Sequence, residues 1–135
     1  MAVEIVRIRV HSDPRGAVFE PLEPSLLAGW RNVHAVVTEP GAIRGNHKHL
    51  VGTEVSTVLG PALVRYRDNG SVHDVEVPAG ECWRFSFPPG TAHAFKNTGT
   101  RPFVLVSFNT QEHDSANPDV AREELISPQA VSVGS

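Results

Sequence analysis

Cysteine, methionine and tyrosine each occur once in this chain of 135 residues. A lone Cys82 cannot build a disulfide framework, so packing and hydrogen bonds must hold the fold, and the small apolar thiol reads as core. No apolar run reaches the length of a membrane span. The start, Met1 to Val10, alternates apolar and charged residues and lacks the unbroken apolar stretch of a secretory signal. Both absences point to a cytoplasmic protein. Positive charge is not in excess either: 12 Lys and Arg stand against 15 Asp and Glu, a net charge of −3. Neither nucleic acid nor an anionic membrane finds a general basic field, although local basic groups can still bind a phosphate. The length suits one domain with a single core, and neither an internal repeat nor an interdomain linker is present.

What the chain does contain is short alternating segments punctuated by 11 glycines and 11 prolines. Val6, Ile8 and Val10 alternate with Arg7 and Arg9, which predicts an opening strand with one dry face. Trp30 is expected to plug a barrel end. Asp68-Asn69-Gly70 signals a hairpin between Ala62–Arg67 and Val72–Val77. Trp83, Phe85 and Phe87 alternate with Arg84 and Ser86 and read as a core-facing strand. About nine or ten such strands, with hardly any helix, predict an all-β barrel or sandwich over residues 1–126. Asn117-Pro118 is expected to cap a short helix through Leu125, and 127–135 to form a flexible tail.

Chemistry concentrates in two stretches. In Gly41-Ala-Ile-Arg-Gly-Asn-His47-Lys-His49, alternation puts His47 and His49 on one face of a strand and Lys48 on the other. Glu54 follows five residues later, and His93 comes after Pro88-Pro-Gly90. Three imidazoles and a carboxylate suit a borderline divalent metal such as Zn, Fe, Mn, Ni or Co. Inward-facing His and Glu would be costly to bury without a shared partner. Counted back from Gly60, Glu54 falls one place off register, which would turn it to the other face and leave three histidines. His11, His34, His73 and His113, each taken alone, read as structural residues.

The spacing resembles the two motifs of the cupin superfamily. The first matches Gly41, His47, His49, Glu54 and Gly60, with one residue fewer before the last glycine; the second matches Pro88, Gly90, His93 and Asn97, with Gly80 two positions early. The resemblance implies a single-domain cupin, a double-stranded β-helix or jelly-roll barrel, and a homodimer formed through the N-terminal strand.

Shorter fragments resemble particular cupins. Asp13-Pro-Arg15-Gly-Ala-Val-Phe-Glu20 and Arg44-Gly-Asn-His47 are similar to segments of the dTDP-4-dehydrorhamnose 3,5-epimerases. That likeness implies nucleotide-sugar binding by Arg15 and Glu20, and a general base at His47. The run Arg44-Gly-Asn-His-Lys-His49, with Asn109 to Asp114 and Asn117-Pro-Asp119, resembles the C-terminal, metal-binding cupin domain of capsular polysaccharide epimerases. Sugar nucleotide 3,4-ketoisomerases share the first run. These relatives act on nucleotide-linked 4-keto hexoses, so the expected function is a sugar nucleotide epimerase or isomerase in polysaccharide or deoxysugar biosynthesis.

Such chemistry needs positive charge or a metal at the developing enolate oxygen and a base near the acidic C–H. Arg44 is expected to face the enolate or the diphosphate. The epimerases place a tyrosine acid after the second motif, whereas the single tyrosine here, Tyr66, lies earlier and is either that acid or core; His113 is the other candidate. A metal-bound His47 cannot also be a free base, so a metal-dependent and a metal-free mechanism compete for it. A non-catalytic metal- or sugar-binding module and a metal-dependent oxygenase remain as alternatives.

Overall fold

The computed structural model describes residues 2–128. Its strands are β1 Glu4–Ile8, β2 His11–Asp13, β3 Gly16–Val18, β4 Asn32–Thr38, β5 Ile43–His49, β6 Glu54–Leu59, β7 Ala62–Asp68, β8 Ser71–Val77, β9 Cys82–Phe87, β10 His93–Asn97, β11 Phe103–Asn109 and β12 Val120–Arg122; a 3-10 turn spans Pro24–Leu26. Two five-stranded antiparallel sheets, ordered β1-β9-β6-β11-β4 and β12-β5-β10-β7-β8, make the jelly-roll barrel, and β2 and β3 form a separate hairpin. The chain is the all-β cupin that its motifs imply.

Residues directly opposite in an antiparallel pair share a face, so register assigns the interior. In the first sheet Glu54, Ser56 and Val58 of β6 face inward, opposite Asn109, Ser107 and Leu105 of β11. In the second, His93 and Phe95 of β10 lie beside Tyr66 and Val64 of β7. The interior therefore runs from polar side chains at one end to an apolar core at the other, where Val58, Val64, Val77, Phe85, Phe87, Phe95 and Leu105 cluster. The hairpin expected at Asn69-Gly70 is present, both residues taking positive φ (50° and 77°), as a two-residue turn between β7 and β8 requires.

Four expectations are corrected. Trp30 does not plug the barrel; it packs with Leu22, Val55 and Phe108 on the outer face of β6 and β11, its ring edge-on to Phe108. Arg84, expected on a solvent face, is buried under the segment that carries Glu23, whose carboxylate is 3.6 Å away. β1 pairs only with β9, at the sheet edge, and Val6 is 39% exposed, so its apolar face is not dry within the chain. The helix expected from Asn117 is a turn followed by β12. Asp114 accepts the backbone N–H of Ala116 through Oδ1 and of Asn117 through its carbonyl, and the free edge of β5 then captures Val120–Arg122. A strand edge offers a row of unpaired backbone groups, which outweighs a weak local helix signal. Ile126 is buried, and residues 129–135 of the expected tail lie outside the described residues.

Candidate metal and sugar nucleotide site

His47 and His49 owe their placement to a bulge in β5. Pairing with β10 runs His93 to His47, then shifts so that Ala94 meets Gly45 and Phe95 meets Arg44. The extra residue is Asn46, with φ 56°, next to Gly45 with φ 86°. Gly45 is required here: an added Cβ would stand 2.8 Å from the His93 carbonyl oxygen. Asn46 tolerates positive φ, and its side chain leaves the barrel to grip the C-terminal segment, donating to Ile126 O and accepting the N–H of Leu125 and Ile126. The Gly-Asn step thus turns His47 inward.

Glu54 is the first residue of β6, buried and facing inward in unbroken alternation with Ser56 and Val58. Pairing of β6 with β9 and β11 runs without a bulge, and Glu54 lies on the histidines' face despite the residue missing before Gly60. Ser56 Oγ donates to Glu54 Oε2 (2.8 Å) and also lies 2.8 Å from Ser107 Oγ, which steadies the carboxylate from below.

His93 opens β10 and is fully enclosed. Phe87 stacks on its ring at 4.2 Å with planes 6° apart, and Nδ1 lies 3.0 Å from Thr91 O. On the opposite wall His49 Nδ1 lies 3.1 Å from Asp119 O. A backbone carbonyl can only accept, so both rings carry the proton on Nδ1 and turn Nε2 toward Glu54. His49 Nε2 is 2.8 Å from Glu54 Oε1, and His47 Nε2 is 3.7 Å from the same oxygen. His93 Nε2 lies 2.8 Å from Oε2, close enough for an ionic contact but out of line for a hydrogen bond, and this buried atom has no partner.

One potential ligand atom from each of His47, His49, Glu54 and His93 falls within 4.8 Å of all the others. A divalent ion binding at about 2.1 Å needs donors about 3.0–3.4 Å apart, inside the spread seen here. The set fits such an ion: an orphaned imidazole nitrogen, two rings with their proton fixed on the far nitrogen, and one carboxylate. Burial alone would raise the Glu54 carboxyl, but the charge of His93 and the imidazole nitrogens of His47 and His49 outweigh it and hold Glu54 well below the usual range. Burial lowers His49, and its bond to Glu54 more than compensates, leaving it raised.

Residues 11–121 match the polysaccharide biosynthesis C-terminal domain. The chain belongs to this family. A relative from Pseudomonas aeruginosa, a UDP-2-acetamido-2,6-beta-L-arabino-hexul-4-ose reductase, is 29% identical over 115 residues, 83% of this chain but only 30% of that protein. Among solved structures, the chain is similar to the capsular polysaccharide assembling protein CapF of Staphylococcus aureus (TM-score 0.65, 22% identity, 87% of this chain and 33% of that one). It is also similar to a dTDP sugar isomerase of Desulfovibrio desulfuricans (TM-score 0.71, 16% identity, 89% and 82%). The chain thus spans about a third of the length of the reductase and of CapF, and most of the isomerase.

In this C-terminal domain the remaining site residues lie at different distances from the cluster. Tyr66 is buried on the same inner face as His93, stacked on His73 (5.2 Å) with its ring tilted 55° to Phe87 (6.2 Å); burial, and then the charge of Asp68, raises its phenol. Arg44 is exposed and donates to Val37 O, at the gap between β5 and β4. Arg15 and Glu20 are not brought to the cluster by this chain: Arg15 is tied to Asp13 on the exposed β2-β3 hairpin, and Glu20 lines an outer cleft beside β1. His113 lies across a cleft of about 80 Å³ from His49.

Two residues escaped the sequence reading. Asp119 carries the carbonyl that orients His49, and its carboxylate accepts the N–H groups of Leu50, Val51 and Gly52, clamping the loop that joins His49 to Glu54. Arg122 stands opposite His47 on β12. The period-2 spacing of Val120 and Arg122 was the available signal, masked by the Asn-Pro helix-cap pattern. Among the described residues no helix is long and apolar enough to cross a membrane.

Proposed function

We propose that the chain is a metal-binding sugar nucleotide epimerase or isomerase, moving a proton next to the carbonyl of a nucleotide-linked 4-keto hexose in polysaccharide or deoxysugar biosynthesis. The observation that carries this reading is the orphaned Nε2 of His93 inside a ring of two further imidazoles and one carboxylate. The family match and the nucleotide-sugar relatives support the substrate class.

In this reading His47, His49, Glu54 and His93 hold one ion of Zn, Fe, Mn, Ni or Co. When bound, it supplies Lewis acidity to the substrate carbonyl. His47 then has no free lone pair and is not the base; in a metal-free protein it is. The location of its Nε2 within the same 4.8 Å group favours the ligand role. Proton transfer falls to Tyr66, which lies on the same inner face as His93, takes the proton as phenolate and returns it as phenol. Arg44 faces the diphosphate or the enolate oxygen.

Arg15 and Glu20 sit on a segment exposed in the single chain, and β1 offers an apolar edge. Both features support a homodimer in which the hairpin serves the neighbouring subunit's pocket; the same reading places it in the cytoplasm.

The test is incubation with dTDP- and UDP-linked 4-keto-6-deoxyhexoses in D₂O. Deuterium is expected at the carbon beside the ketone, and His47→Ala is expected to lower the exchange rate by about 100-fold or more. No exchange with any substrate leaves a binding module; oxygen uptake in place of exchange identifies an oxygenase.

A further inference from the structure

The four ligating groups are not equally enclosed. The His47 side chain is 31% exposed, those of His49 and Glu54 17% and 6%, and that of His93 1%. The cluster is therefore most accessible on the His47 side. A substrate entering there passes whatever flanks His47 on β5. One neighbour is His93 on β10; the other is Arg122 on β12.

Two observations fix the face of Arg122. Its register partner is His47, and opposite residues of an antiparallel pair point the same way, with Cβ atoms about 5 Å apart. The next residue, Glu123, points the other way, where it binds Lys48 Nζ at 3.2 Å and Arg67 Nε at 2.9 Å on the outer face. The acid next in sequence is thereby engaged elsewhere. Arg122 is exposed and, among the described residues, its side chain makes no hydrogen bond or ion pair. Its guanidinium, on the face of the most exposed histidine of the cluster, is free to meet an incoming anion.

We infer that Arg122 is an anion-binding residue of the pocket mouth that takes the diphosphate of the nucleotide-linked substrate. The guanidinium fork matches phosphate oxygens in bidentate geometry, whereas a neutral sugar gives it no charge to answer. Arg44, exposed on β5 three residues before His47, provides the second arm of the same clamp. The inference rests on the reading above that the substrate is a nucleotide sugar, and adds to it the residue that holds the phosphates. It also gives the C-terminal segment a role: β12 carries a binding group and does not merely cover an edge.

The experiment is calorimetric titration of metal-loaded protein with dTDP, UDP and inorganic pyrophosphate, alongside metal content per chain. Arg122→Ala is expected to weaken all three by about 10- to 100-fold with metal content unchanged, and Arg122→Lys to recover part of the loss. Binding should also lose part of its salt dependence in the alanine variant. Equal affinity in wild type and Arg122→Ala overturns the assignment and leaves the nucleotide-sugar reading intact. Loss of metal in Arg122→Ala also overturns it, by making the residue part of the metal site. Failure of the wild type to bind any of the three probes overturns both.

Discussion

The two ends of the barrel interior are built on the same strands and obey different rules. On β6 and β11 the inward pairs change from Glu54–Asn109 and Ser56–Ser107 to Val58–Leu105 within a few residues. On β10 and β7 they change from His93–Tyr66 to Phe95–Val64. The apolar end is satisfied by contact alone. The polar end holds a buried glutamate and three histidines, whose hydrogen bonds leave one imidazole nitrogen without a partner. A buried polar nitrogen without a hydrogen bond is destabilising, so the polar end carries a cost to the fold that the apolar end offsets.

If that division is correct, damage to the two ends dissociates. The largest effect is expected from changing His49 and His93 together to Ala: metal content, measured by elemental analysis of untagged protein, falls from near one equivalent to background. The fold is expected to survive at reduced stability, because the cut opens a cavity beside Phe87 and leaves buried Glu54 with His47 alone while the rest of the apolar cluster still packs; far-UV circular dichroism and the denaturant midpoint check this. A variant that both loses metal and unfolds would erase the distinction between the ends. The converse variant is Phe85→Ala. Phe85 is fully buried in the apolar cluster, and truncation is expected to cost about 3–5 kcal/mol of unfolding free energy. At temperatures where that variant remains folded, metal content should match the wild type.

The same contrast explains what was legible in the sequence. The apolar end announces itself through period-2 patterns that depend only on residue type, as in Phe85 and Phe87 or Ala62 and Val64. The polar end is legible where spacing carries it: His47 and His49 by alternation, Glu54 and His93 through the motifs. The doubt over Glu54 arose because counting from Gly60 says nothing of how β6 pairs; its unbroken register with β9 and β11 sets Glu54 on the histidines' face. Trp30 was misplaced, and the burial of Arg84 was not foreseen, because alternation says which residues share a face but not whether a loop later covers the outer one. The 20s segment does cover it. Asp119 and Arg122 were missed because their roles come from pairing of β12 with β5, a contact across about 70 residues of chain that no local pattern reports.

Asp119 offers the finest test of how the polar end is held, since it touches no metal and no substrate. Its carbonyl accepts from His49 Nδ1, and its carboxylate takes three backbone N–H groups at 2.8–3.1 Å from the loop between His49 and Glu54. Gly52 allows the close approach, since a Cβ there would lie 2.9 Å from Asp119 Oδ2. Replacing Asp119 by Ala keeps the backbone carbonyl but frees the loop, so His49 and Glu54 lose their fixed separation. The expected result is metal affinity lowered by about 10- to 100-fold, read by chelator competition, with a changed visible spectrum of the cobalt-substituted protein. Asp119→Asn, which retains one accepting oxygen for Leu50 and Val51, should fall between wild type and Ala. Unchanged affinity in Asp119→Ala would mean that the ligands are positioned by the barrel strands alone, and that the C-terminal segment contributes nothing to the polar end.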